Sequence, residues 1–163
     1  MYSLYKTNNM RTRYFLLLAI SLFAIVHSGS AQGNLDRNRQ YTGAKATKAE
    51  YKAIYQMDQA SPEIQKKAIR NIGNLLKDPR LKGKVKVELV AFSGGTEAYR
   101  KNSGFEEDLK ALIEQGVIVV QCLNTMKEKN IDKSELYDFL AYVPSGNGEL
   151  VIRAAEGWTI VKP

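Results

Sequence analysis

Residues 116–130 read GVIVVQCLNTMKEKN. After the glycine, Val117, Ile118, Val119 and Val120 are β-branched and apolar on consecutive positions, the pattern of a strand covered on both faces within a parallel sheet. The strand reads as 117–121, Cys122 follows it immediately, and the polar segment beyond is long enough for one or two helical turns, with Asn124 or Thr125 as its cap. A buried strand that passes directly into a helix is half of a βαβ unit, and the same alternation appears on either side of it.

Upstream, YKAIYQM (51–57) reads as the first strand and 58–61 as a loop, after which Ser61-Pro62-Glu63 opens a helix with a serine cap and a proline in the first turn. Ile64, Ala68, Ile69, Ile72, Leu75 and Leu76 then recur at helical spacing until Asp78-Pro79 stops the helix. Residues 85–92 form a second strand, Ser93-Gly94-Gly95 a tight loop, and 105–115 a helix closed by Gly116. Downstream, Asp132 and Glu135 have capping-box spacing and predict a helix reaching Leu140, overlapping a fourth strand at 139–143. A turn at Pro144-Ser145-Gly146, a helix over 149–156 and a strand over 158–161 complete the chain. Five short strands with interposed helices predict an α/β fold, a three-layer sandwich around a mainly parallel five-stranded sheet.

The amino terminus has a different character. Lys6, Arg11 and Arg13 precede thirteen almost unbroken apolar residues, 14–26, and Gly29-Ser30-Ala31 then offers small residues for cleavage before Gln32. That is the shape of a secretory signal, and the apolar run falls short of the roughly 20 residues a membrane span needs. The alternative, a retained anchor, is disfavoured by that length, and with no cysteine after the run there is no lipid attachment site. The sequence therefore divides into a signal peptide at 1–31, a flexible polar lead-in at 32–49 and one α/β domain at 50–163. It predicts a periplasmic or otherwise exported protein with no stable membrane insertion after cleavage.

Loss of the leader lowers the net charge from +7 to +4, because three basic residues and no acids go with it. Acidic residues are mixed among the remaining lysines, as in GFEEDLKALIEQ (104–115), so there is no basic face for nucleic acid. The single histidine, His27, also lies in the leader. The mature chain thus has no histidine for a Ser-His-Asp or Cys-His arrangement and no imidazole ligand, and it predicts no metal and no cofactor. Met126, four residues beyond Cys122, makes a pair of soft ligands for Cu(I), but two are too few and core packing is the stronger reading.

In a parallel sheet ligands bind at the carboxyl ends of the strands. The loops there carry Asp58; Ser93, Gly94 and Gly95; Cys122, Asn124 and Thr125; and Ser145 and Gly146. A lone cysteine in an exported chain is a reactive thiol, an intermolecular disulfide partner or an inert buried residue. At the start of a helix, unpaired N–H groups can stabilise its thiolate, with Lys127 as a further candidate cation. Whether the protein is an enzyme stays open at this point.

Cys122-x-Asn124-Thr125-Met126, the Val143-Pro144-Ser145-Gly146 turn and the closing Gly157-Trp158 near Lys162-Pro163 together resemble the DsrE/DsrF-like proteins, and the similarity extends back to about residue 50. The resemblance implies a flavodoxin-like (DsrEFH-like) domain, a homo-oligomer (trimer or hexamer), and a persulfide on Cys122 exchanged with an unidentified sulfur donor or acceptor protein. Phe92 and Ser93 depart from it, where a histidine and a glycine are common, as does Asn147 where an apolar residue is usual. A sulfur carrier of this kind and a non-catalytic ligand-binding or assembly module on the same fold are the two functions that follow.

Overall fold

The computed structural model describes residues 32–163, and the predicted signal peptide lies outside them. The described chain falls into two units that meet at residues 44 and 45. In the first, residues 32–40 are helical and exposed apart from a half-buried Asp36. This helix falls in the stretch whose lack of apolar periodicity predicts a flexible lead-in. Among the described residues no helix is long and apolar enough to cross a membrane.

The second unit holds a five-stranded, all-parallel sheet in the order β4-β3-β2-β1-β5. Its strands are β1 (Tyr51–Met57), β2 (Val85–Ala91), β3 (Ile118–Cys122), β4 (Ala141–Val143) and β5 (Thr159–Val161). The helices are α1 (Pro62–Lys77), α2 (Glu106–Glu114), α3 (Leu123–Lys129) and α4 (Gly146–Ala155), with 3-10 turns at Ser93–Tyr99 and Lys133–Glu135. Three layers and a parallel sheet are shared with flavodoxin, whose strands run in a different order, 2-1-3-4-5.

Alternation along the strands sorts side chains into two cores. Ala53, Tyr55, Met57, Val87, Leu89, Ala91 and Val119 meet Ala68, Ile69 and Ile72 of α1 and Leu109 and Leu112 of α2. The opposite face is smaller: Ile54, Val90, Phe92, Val120 and Cys122 meet Leu150 of α4 and Trp158. Right-handed crossovers explain the division. From β1 to β4 each step moves the same way across the sheet, whereas the return from β4 to β5 at the far edge must cross by the other face, and α4 is that crossing.

Several predicted boundaries move. Ser61 caps α1 as expected, its Oγ accepting the Ile64 N–H at 3.3 Å. The loop after β2 is a 3-10 turn, Ser93–Tyr99. The Asp132 capping box forms but starts only the three-residue turn Lys133–Glu135 rather than a helix to Leu140. The next residues go instead to tertiary partners: Leu136 bridges Arg100 antiparallel, and the Tyr137 N–H donates to the Tyr99 carbonyl at 3.0 Å. Finally, α4 begins at Gly146 rather than at residue 149.

Candidate functional site

Cys122 is both the last residue of β3 and the cap of α3. Asn124 and Thr125, the expected caps, lie inside that helix. Beside β3, β4 ends in the turn that starts α4, and Val143 pairs with Cys122 in register. The two helices diverge: Met126 of α3 enters the larger core and Leu150 of α4 the smaller. The crevice between β3 and β4 is therefore the point where successive connections leave for opposite faces, the position at which open parallel sheets bind ligands.

The thiol sits in this crevice, 4% exposed. The Thr125 N–H donates to Sγ at 3.4 Å. Burial pushes the thiol pKa up, but hydrogen bonds from the Thr125 N–H and hydroxyl and from the N–H groups of Gly146 and Asn124 outweigh it, leaving the pKa below its ordinary value. Asn124 also donates to the Pro144 carbonyl at 3.2 Å, joining the starts of α3 and α4. Ser145 caps α4 by accepting the Gly148 N–H at 3.2 Å, which leaves the Gly146 N–H, one of the groups without a partner inside the helix, for the sulfur. Gly146 has to be glycine here, because a Cβ would lie 2.6 Å from the Phe92 ring.

Thr125 connects a second strand end to the thiol. Its Oγ1 accepts the Ser93 N–H at 3.0 Å, so its own proton is free to point at the sulfur. Ser93 holds a left-handed backbone, φ 49°, at a cost on the order of 1 kcal/mol for a residue with a side chain.

The structure thus brings Cys122, Asn124, Thr125, Gly146 and, through Thr125, Ser93 into one cluster. The remaining predicted residues are employed elsewhere. Asp58 is bound by Gln56 Nε2 at 3.0 Å and Lys162 Nζ at 2.9 Å; burial pushes its carboxyl up, and these two partners bring it below the ordinary value. Gly94 and Gly95 spend their N–H groups on the carbonyls of Asp58 and Phe92, and both lie against the 57–60 backbone. Ser145 acts by capping α4. Lys127 is exposed in the last turn of α3, and every group that favours the thiolate is a neutral donor. Gln121 was not anticipated: wholly buried, its Nε2 donates to the Cys122 carbonyl at 2.9 Å and to Thr96 Oγ1 at 3.0 Å, fixing the backbone below the thiol. Its signal was a polar residue in an otherwise apolar strand. Met126 is a core residue as predicted, and Trp158 is buried as well.

A cavity of about 480 Å³, lined by Tyr51, Tyr55, Leu75, Val85 and Val161 among others, includes none of the predicted site residues. Among the described residues no group of acidic, cysteine or histidine side chains could hold a metal ion.

No protein-family model and no curated protein matches the chain. Among solved structures it is similar to one titled "Structure of Protein of Unknown Function MTH1491 from Methanobacterium thermoautotrophicum", with 31% identity over 70% of this chain and 100% of that one and a TM-score of 0.65.

Proposed function

This chain belongs to one family with MTH1491, and we propose that it is an exported DsrE-like protein that carries sulfane sulfur on Cys122. The observation that supports this most is the place of Sγ at the start of α3, where the Thr125 N–H donates to it at 3.4 Å, with the Thr125 hydroxyl and the N–H groups of Gly146 and Asn124 further favouring the thiolate. Capping α3 accounts for the Thr125 N–H alone, whereas the further donors suit a thiolate nucleophile or a bound persulfide anion.

In the loading step the Cys122 thiolate attacks the outer sulfur of a donor persulfide, R–S–SH. A Cys122–S bond forms, the donor S–S bond breaks, the donor leaves as a thiolate, and Cys122 becomes a persulfide that keeps the transferred proton or loses it to water. A second cysteine is not needed, because the acceptor protein supplies the next thiol.

Incubation with a polysulfide donor should add sulfur to the native mature protein, seen as an intact-mass increase reversed by a reducing thiol. Cys122→Ser should abolish the gain and keep the fold, since the two side chains are nearly the same size. Labelling of Cys122 by thiol reagents only after denaturation would remove the carrier reading. The second reading, a binding or assembly module with Cys122 as a packed residue, rests on the thiol being 4% exposed and is the one that result would favour.

The proposal includes a homo-oligomer, a trimer or hexamer by resemblance. Ile118, Val151, Ile152 and Ile160 support it, as large apolar side chains 44–69% exposed. Light scattering on the mature protein should give a multiple of the chain mass, and a monomer at micromolar concentration and above removes this part.

A further inference from the structure

Glu88 lies in the middle of β2, toward the smaller core, with its side chain 1% exposed. A carboxylate taken out of water there carries a large desolvation cost, and an apolar pair of similar volume would dock a helix at least as firmly. Its partner is Arg153 of α4, whose Nε donates to Glu88 Oε2 at 2.8 Å across 65 residues of chain. The same guanidinium meets Glu149 at 3.0 Å and Glu156 at 3.1 Å and stacks 4.6 Å from the Trp158 ring. It is thereby fixed in position and in plane. The other carboxylate oxygen, Oε1, is buried with no partner.

The placement of α4 gives this costly pair a use. Gly146 and Leu150 are its buried residues, and Arg153 completes a stripe at i, i+4 and i+7, while Val151 and Ile152 on the outer side are 69% and 56% exposed. The helix is held to the sheet along that one line. Its first residue packs on Phe92 in the cluster that holds Cys122 and Leu150, where its N–H favours the thiolate; about 10 Å further along, seven residues at 1.5 Å each, the guanidinium grips Glu88. Leu150 alone would let the helix roll or slide, because apolar contact is non-directional. A guanidinium bonded to Glu88 of the sheet and held in plane by Glu149 and Glu156 of its own helix does not.

We propose that the Glu88–Arg153 pair is a positioning device for Cys122, setting the rotation and depth of α4 so that the Gly146 N–H stays on the sulfur. The inference deepens the sulfur-carrier reading and rests on it for its functional meaning, and Arg153 acts only through α4.

The test uses the mature full-length chain, with a double variant, Glu88→Met/Arg153→Met, that removes both charges and keeps the volume, and Arg153→Lys, which keeps the charge and loses the fork. Two quantities are read: the midpoint of the Cys122 alkylation rate between about pH 6 and 9, and amide hydrogen exchange at Gly146. The double variant should melt cooperatively, exchange Gly146 at least several-fold faster, and show its alkylation midpoint shifted upward, with the neutral-pH rate reduced about threefold to tenfold for one weakened hydrogen bond to a charged group. Arg153→Lys should fall between the double variant and the parent, and it carries the test if the double variant does not fold. An unchanged midpoint, with or without faster exchange, overturns the inference. If the parent thiol does not react in the native state but Gly146 exchange still rises in the variants, the sulfur-carrier reading falls and the positioning of α4 by the pair stands.

Discussion

Gly95→Ala is expected to cost on the order of 3 kcal/mol or more, the upper range of overpacking effects, seen as a large drop in the denaturant midpoint. A Cβ at this position would stand 1.9 Å from the Met57 carbonyl oxygen and 2.5 Å from its carbon. Neither side of the clash can yield cheaply. The Met57 carbonyl accepts the Phe92 N–H at 3.1 Å at the end of the central β1–β2 ladder, and Gly95 itself donates to the Phe92 carbonyl at 2.9 Å. Relief would have to pull apart the strand ends that place Ser93 beside Thr125. Gly73→Ala is the control with the opposite sign: it lies within α1, has nothing within 4 Å of its would-be Cβ, and should gain about 0.5–1 kcal/mol from helix propensity. Equal midpoints for Gly95→Ala and the parent would show that the backbone at Met57 can move aside, contrary to its place in the sheet.

That glycine also shows where sequence reading stops. Gly-Gly after a strand announces a turn, but which backbone the turn must pass is a property of the β1–β2 pairing and cannot be seen locally. The strands themselves were legible, because burial on both faces demands apolar runs: β1 occupies the predicted residues, β2 ends one residue early and β3 shifts by one. Helix starts were less so. Cysteine is not among the usual caps, so nothing in CLNT marks Cys122 rather than Asn124 as the residue whose side chain receives the Thr125 N–H. The start of α4 was hidden by Gly146-Asn147-Gly148, poor helix formers that are helical here because Ser145 caps them and Gly146 alone fits beneath Phe92. The capping box at Asp132 was read correctly as a local motif, and the helix predicted from it fails because Leu136, Tyr137 and Leu140 are buried in the larger core. At the site, the sequence places the candidates on one edge of the sheet. Which of them touch the sulfur depends on α4 returning across the opposite face, a consequence of strand order.

Thr125→Val should move the ionisation of Cys122 toward the alkaline side and slow its alkylation at neutral pH about tenfold. The side chain keeps its shape and loses one oxygen. That oxygen now accepts the Ser93 N–H at 3.0 Å and presents its proton to Sγ, so valine removes a donor from the sulfur and an acceptor from Ser93. A hydrogen bond to a charged group contributes about 1.5–3 kcal/mol, and the lower end corresponds to the tenfold change, since the N–H groups of Thr125, Asn124 and Gly146 remain. The sign follows from the thiolate being the reactive form. In the parent, donors lower the thiol pKa against the opposing push of burial, so they favour the form that reacts. With one donor gone, burial counts for more, the rate–pH curve shifts upward, and the two proteins converge only well above both midpoints. Thr125→Ser keeps the hydroxyl and should follow the parent curve, which separates loss of the donor from loss of packing at a residue 4% exposed. A valine variant whose midpoint matches the parent's would mean that the backbone donors alone set the thiol, and that the relay from the strained Ser93 through Thr125 has no part in its chemistry.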